Sequence, residues 1–179
     1  MDYTKNYGDS KLSDLQKLSK DQLIKLIIIG AKNWLAHDGL WFQAVEKKRG
    51  IDEAIKADGE AWRKFSPIEA KRIMEFLNIK PNGGLDALKI ALQYRMYAHL
   101  NKQEIIDVDE NTIIFRMNDC RVQSARKRKN LPDFPCKSVG IIEYEEFAKT
   151  IDPRIRTKCI ACPPDNHPDD FFCAWEFTI

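Results

Sequence analysis

The first 119 residues contain no cysteine, and the whole 179-residue chain has only three histidines, His37, His99 and His167. A thiolate or imidazole metal site must therefore draw on the C-terminal third. An odd cysteine count, five, excludes a fully paired disulfide framework. Long apolar runs are missing too. The longest, Leu23–Ala31, is interrupted by Lys25, well short of the ~20 apolar residues a bilayer span needs, and reads as a buried helix. The polar N-terminus "MDYTKNYGDSKLSD" lacks the apolar run of a secretory signal. The expected location is therefore cytoplasmic, where thiols stay reduced and clustered cysteines bind metal or react. Charge of one sign is not in excess: 29 basic against 27 acidic residues give +2, so composition does not announce a nucleic-acid binder. P-loop, dinucleotide-binding, His-Glu-x-x-His and serine-elbow motifs are absent, as are repeats.

What remains, 44% hydrophobic and 31% charged, is the composition of a globular domain. Residues 1–18 read as a flexible N-terminal arm and 19–179 as a single compact α+β domain, with 19–100 helical and 101–179 β-rich. Ser19 and Gln22 form a capping box ahead of Leu23, Leu26, Ile27, Trp34 and Leu35 at helical spacing. Gly39 is a candidate kink or end, and Gly50 a stop. A second helix covers "IDEAIKADGEAWRKF". A third starts afresh at Ser66-Pro67, with Glu69 at the third helical position. "KPNGG" is a turn, and Leu85–Leu100 a further amphipathic helix. The period then changes. "EIIDVDENTIIFRM" reads as a hairpin, "QSARKRKN" as a short helix, "LPDFPCKSVG" as a loop and "EYEEFAKTI" as helix. "RIRTKCIA" and "FFCAWEFTI" are the last strands. Four to five helices thus pack on a C-terminal antiparallel sheet carrying one or two short helices.

Cys120, Cys136, Cys159, Cys162 and Cys173 all fall in the final 60 residues. Zinc takes about four thiolate or imidazole ligands, and Cys-x2-Cys, as in "CIAC", is its usual half-site because a tight turn brings two sulfurs together. The five cysteines are the candidate metal ligands. Zinc is the expected cofactor, and an iron–sulfur cluster is the alternative that the same thiolates allow. Against metal stands the tendency of free cysteine to be buried as an apolar residue, which suits Cys173 on an apolar strand face. With His167, the segment falls one residue away from a zinc knuckle, but its Pro-Pro and aspartates suit neither that loop nor phosphate.

"CRVQSARKRKNLPDFPCKSVG", "IDPRI" and "CPPDNHPDDFFCAWEF", together with "HDGLWFQAVEK" and "EAKRIMEFL", resemble a family of uncharacterised cytosolic proteins of bacteria and archaea. That resemblance points to Cys120, Cys136, Cys162 and Cys173 before Cys159. In layout the chain is also similar to 4-vinyl reductase-type domains and to the L-2-amino-thiazoline-4-carboxylic acid hydrolase family. The first implies small-molecule binding, with C-terminal cysteines on zinc.

"NWLAHDGLWF" packs Trp34, His37, Asp38, Trp41 and Phe42 into ten residues. Trp34, His37 and Trp41 share a helix face. An aromatic wall beside one titratable imidazole suits a small organic ligand, with Trp34 and Trp41 as contacts and His37 and Asp38 as catalytic candidates. The competing reading is two core tryptophans and one buried hydrogen bond. Residues 116–137 carry seven basic residues against Asp119 and Asp133. Arg126 is a candidate grip for a ligand carboxylate. The run lacks the aromatic interleaving of a single-strand binder, so nucleic acid is not the expected partner. The expected partners are a small molecule and a second copy of the chain, with no membrane. The combined expectation is a zinc-binding protein with a small-molecule site near His37. Its alternatives are a metal- or cysteine-dependent hydrolase and an iron–sulfur redox protein.

Overall fold

The computed structural model describes residues 14–130 and 132–179. Most of the expected arm, residues 1–13, lies outside the described residues, as does Leu131.

The capping box forms as expected. Ser19 Oγ accepts from Gln22 N at 3.2 Å, and Gln22 Oε1 accepts from Ser19 N at 2.8 Å. It opens α1, Lys20–Arg49, which runs unbroken through Gly39. A Cβ at Gly39 would meet nothing within 4 Å, so no packing demand bends the helix there. Gly50, at φ +89°, ends α1 and starts α2, Ile51–Leu77, and α2 packs along α1. The "LIKLIIIGA" segment departs from the buried helix expected of it: of all α1, only Ala31 is fully buried.

Two expected helix ends are also absent. Ser66-Pro67 lies inside α2 rather than starting a new helix. Proline removes one backbone donor, but the α2 face carrying Trp62, Glu69, Ala70, Ile73 and Met74 is buried, and that burial outweighs one lost bond. Conversely, the helix expected to reach Leu100 stops at Leu92. This α3, Gly84–Leu92, gives way to turns and a 3-10 turn at Ala98–Leu100. The two groups that would continue it are bonded elsewhere. Met96 N donates to Glu69 Oε1 at 2.9 Å, and Leu92 O accepts from Gln103 Nε2 at 3.2 Å.

Strands β1 (Lys102–Asp109) and β2 (Thr112–Asp119) form the expected hairpin. The short α4, Arg121–Lys127, follows. The next helix, α5, begins at Lys137 and runs to Ile151, so most of the expected "LPDFPCKSVG" loop tail is helical. Strands β3 (Arg156–Ala161) and β4 (Cys173–Thr178) complete an antiparallel sheet of order β1-β2-β4-β3. The whole is α+β, with mostly N-terminal helices on a C-terminal sheet.

Period-two alternation puts Ile113, Phe115, Met117, Cys173, Trp175 and Phe177 on the face that joins the main core, against Tyr144, Phe147 and Ile151 of α5 and Leu88 and Leu92 of α3. A separate small cluster holds Ala161, Phe171 and Ala174. Gly140 lets α5 settle on the sheet: a Cβ there would meet the Trp175 ring at 2.8 Å. Asp152 caps α5 and ties it to α3 by accepting from Gly84 N at 3.0 Å, with Arg154 beside it holding its carboxyl down at about 2.

Candidate thiol site

The cysteines gather where the first turn of α5 meets one end of the sheet. Cys120 lies between β2 and α4, Cys136 immediately precedes α5, and Cys173 opens β4. "CIAC" is not the expected tight turn: Cys159 lies inside β3, and Cys162 immediately follows it. In a regular strand, residues three apart face opposite ways. A bulge between Cys159 and Ala161 corrects this, and both thiols pack against the main core.

The closest pair is Cys136 and Cys162, with sulfurs 3.5 Å apart. Cys162 also hydrogen-bonds Cys173, which accepts from Trp175 Nε1 at 3.4 Å. Cys120 lies within electrostatic reach of Cys136 and Cys173. Gln123, fully buried, braces the site. Its Nε2 donates to Phe134 O at 2.9 Å and to Cys136 Sγ at 3.6 Å, while its Oε1 accepts from Phe134 N at 2.8 Å. The contact with Cys162 lowers the Cys136 thiol, and burial opposes it. The bonds to Cys136 and Cys173 raise Cys162. Burial pushes Cys120 up to about 12 and also raises Cys159. Among the described residues, no group of three or more His, Cys, Asp or Glu side chains stands in a metal-holding arrangement.

Beside this cluster α5 carries a second polar constellation that sequence reading missed. Arg95, 1% exposed, donates through Nε and Nη2 to Glu69 Oε2 at 2.9 and 2.8 Å, and through Nη1 to Glu143 Oε1 at 2.6 Å. Tyr97 bonds both Arg95 and Glu143. The guanidinium lies over the rings of Tyr97 and Phe147, 4.6 Å from each centroid. The only sequence signal is Glu69, whose place after Ser66-Pro67 fits a helix start instead.

Trp34 faces this constellation, 6.0 Å from Trp62 and 6.4 Å from Tyr97. His37 is exposed, Asp38 half-buried and Trp41 56% exposed. The four candidates of that stretch thus divide between a packed aromatic cluster and an open helix flank. Burial raises the Asp38 carboxyl, and His37 partly offsets this. Arg126 donates to Pro132 O at 2.7 Å and lies 6.0 Å from the Phe134 centroid. His167 contacts Asp133 at 3.5 Å, and His99 is exposed. Two surface cavities of about 230 and 280 Å3 lie away from His37, below the ~300 Å3 where ordinary ligand sites begin.

Asp58 is a strongly perturbed, half-buried carboxyl on α2. Burial first, then the charges of Asp38 and Glu143, push it up to about 7, and a Trp62 hydrogen bond opposes them. The folded chain keeps this proton to near pH 7, whereas the unfolded chain loses it near 3.8. Its contribution to stability is full below about pH 4 and is lost as pH rises through 7. Asp58→Asn is expected to remove that component, leaving the variant more stable than the parent above pH 7. Thermal melts from pH 4 to 8 check it; parallel curves for the two proteins contradict it.

Residues 16–179 match the model of DUF6125, a family of unknown function. The chain belongs to that family. No curated protein and no solved structure matches it. Membership in DUF6125 agrees with the resemblance to an uncharacterised family and does not extend to the 4-vinyl reductase-type or thiazoline-carboxylate hydrolase groups. No helix among the described residues is long and apolar enough to cross a membrane.

Proposed function

We propose that this member of DUF6125 binds zinc through Cys120, Cys136, Cys162 and Cys173. The observation that carries the reading is the 3.5 Å separation of the Cys136 and Cys162 sulfurs. A disulfide needs ~2.05 Å, whereas two thiolates sharing a tetrahedral zinc at 2.3 Å stand ~3.8 Å apart. Cys173 and Cys120 approach the same pair from the neighbouring strand ends, while Cys159 sits within β3, bonded to none of these thiols. Loading takes deprotonation of the thiols and a shift of sulfurs from hydrogen-bonding to coordinating positions, so binding releases protons. Four thiolates close the coordination sphere. The metal is then structural, tying β2, α5 and β4 together, and activates no water.

Cobalt(II) in place of zinc tests the ligand set. Sulfur-to-metal charge-transfer absorption is expected in the parent and in Cys159→Ala, and is lost in Cys162→Ala. Absorption unchanged in Cys162→Ala would sink the proposal.

A second reading is favoured by Cys136 alone. Its place ahead of α5 and its contact with Cys162 both favour thiolate, as a cysteine-dependent hydrolase requires. Rapid alkylation of Cys136 at neutral pH with zinc bound would support it, because coordination protects a ligand thiolate.

A further inference from the structure

The first two turns of α1 are exposed on every side. Ile24 and Ile27 continue the line of its core-facing residues, yet they are 45% and 60% exposed among the described residues. Along the outward side, Leu23, Leu26, Gly30, Asn33, His37 and Leu40 recur at alternating spacings of three and four, the repeat that keeps one stripe facing a partner helix. The stripe bears no Lys, Arg, Asp or Glu from Leu23 to Ala44; Lys25 and Lys32 fall on the opposite flank. Leu26, Leu40 and Trp41 on it are 44%, 67% and 56% exposed.

We propose that this stripe of α1 pairs antiparallel with the same stripe of a second copy of the chain. Three observations select that occupant. The face is uncharged, so opposing it to itself creates no like-charge contact. Its pattern is self-complementary about the peptide between Asn33 and Trp34. An antiparallel partner sets Leu26 against Trp41, His37 against Gly30 and Leu23 against Ala44, pairing large residues with small ones at two of the three positions. A Cβ at Gly30 would meet nothing within 4 Å, so there is room for the partner's imidazole. The area suffices as well. At 1.5 Å per residue the stripe is about 33 Å long and roughly one helix wide. Two copies would remove on the order of 1,000 Å2 of accessible surface, the lower end for a specific interface. A bilayer surface fits less well, since Asn33 and His37 sit mid-stripe, where lipid leaves them unpartnered.

The test is sedimentation equilibrium of the full chain with Leu26→Glu and Leu40→Glu, each substituted at an exposed position and checked for fold by circular dichroism. The parent is expected at twice the 20.8 kDa chain mass, and each variant at one chain mass with an unchanged spectrum. The proposal is overturned by a parent that stays monomeric up to about 100 µM, by a dimer that survives both substitutions, or by flotation of the parent with phosphatidylserine-containing vesicles.

Discussion

Replacing Arg95 with methionine is expected to destabilise the protein by about 3–5 kcal/mol, the cost of leaving buried charge without its partner. Arg95 holds Glu69, 6% exposed, with two of its donors and Glu143 with a third. Methionine fills much of the volume, so lost packing is a small part of the effect. The two carboxylates, freed of their counter-ion, account for the rest. Burial already raises Glu143, and Arg95 is the first influence pulling it back. Without Arg95 the carboxylates must protonate or drag water inward, so the loss is larger at pH 8 than at pH 5. Urea unfolding at both pH values measures it. A midpoint near the parent's at pH 8 would show that the cluster is hydrated and contributes little.

Trp175→Ala carries the next largest effect, about 3–5 kcal/mol for emptying a buried aromatic site. Trp175 is central on the inner face of the sheet, with Tyr144 4.7 Å from its ring and Gly140 so placed that a Cβ would meet the indole edge. The same closeness predicts coupling. Gly140→Ala alone puts a methyl group 2.8 Å from the indole and is expected to cost about 1–3 kcal/mol by overpacking. In the Trp175→Ala background that clash is gone, and Gly140→Ala becomes neutral or stabilising through its better helix propensity. A double-mutant cycle from denaturant unfolding reads the interaction. Strictly additive costs would show that α5 does not rest on the indole as described.

What was legible in the sequence was local. The Ser19–Gln22 box, the stop at Gly50, the hairpin and the alternation through Cys173, Trp175 and Phe177 each rest on neighbouring residues, and each is found; Phe171, expected on the same face, precedes β4 and packs with Ala161 and Ala174 instead. What failed depends on residues far apart in sequence. The helix through Leu100 ends because Glu69, 26 residues before Arg95, takes its backbone donor and its cation. Pro67 stays within α2 because the buried face around it outweighs the missing donor. Composition marks "LIKLIIIGA" as buried, yet Leu23, Ile24, Leu26, Ile27 and Ile29 are exposed, because an apolar run alone does not show whether another element covers it. At the thiol site, spacing marks Cys159 and Cys162 as a pair, whereas Cys162 meets Cys136 ahead of α5 and Cys173 at the start of β4. No pattern in the chain marks Gln123 or Arg95, because their partners come from other elements.

The most direct test of the zinc proposal is the metal content of the chain, purified under reducing conditions without a tag or added metal and measured by elemental analysis against protein concentration. About one zinc per chain is expected in the parent and in Cys159→Ala. Protein that stays folded with no zinc, or that carries zinc undiminished in Cys162→Ala, would contradict it.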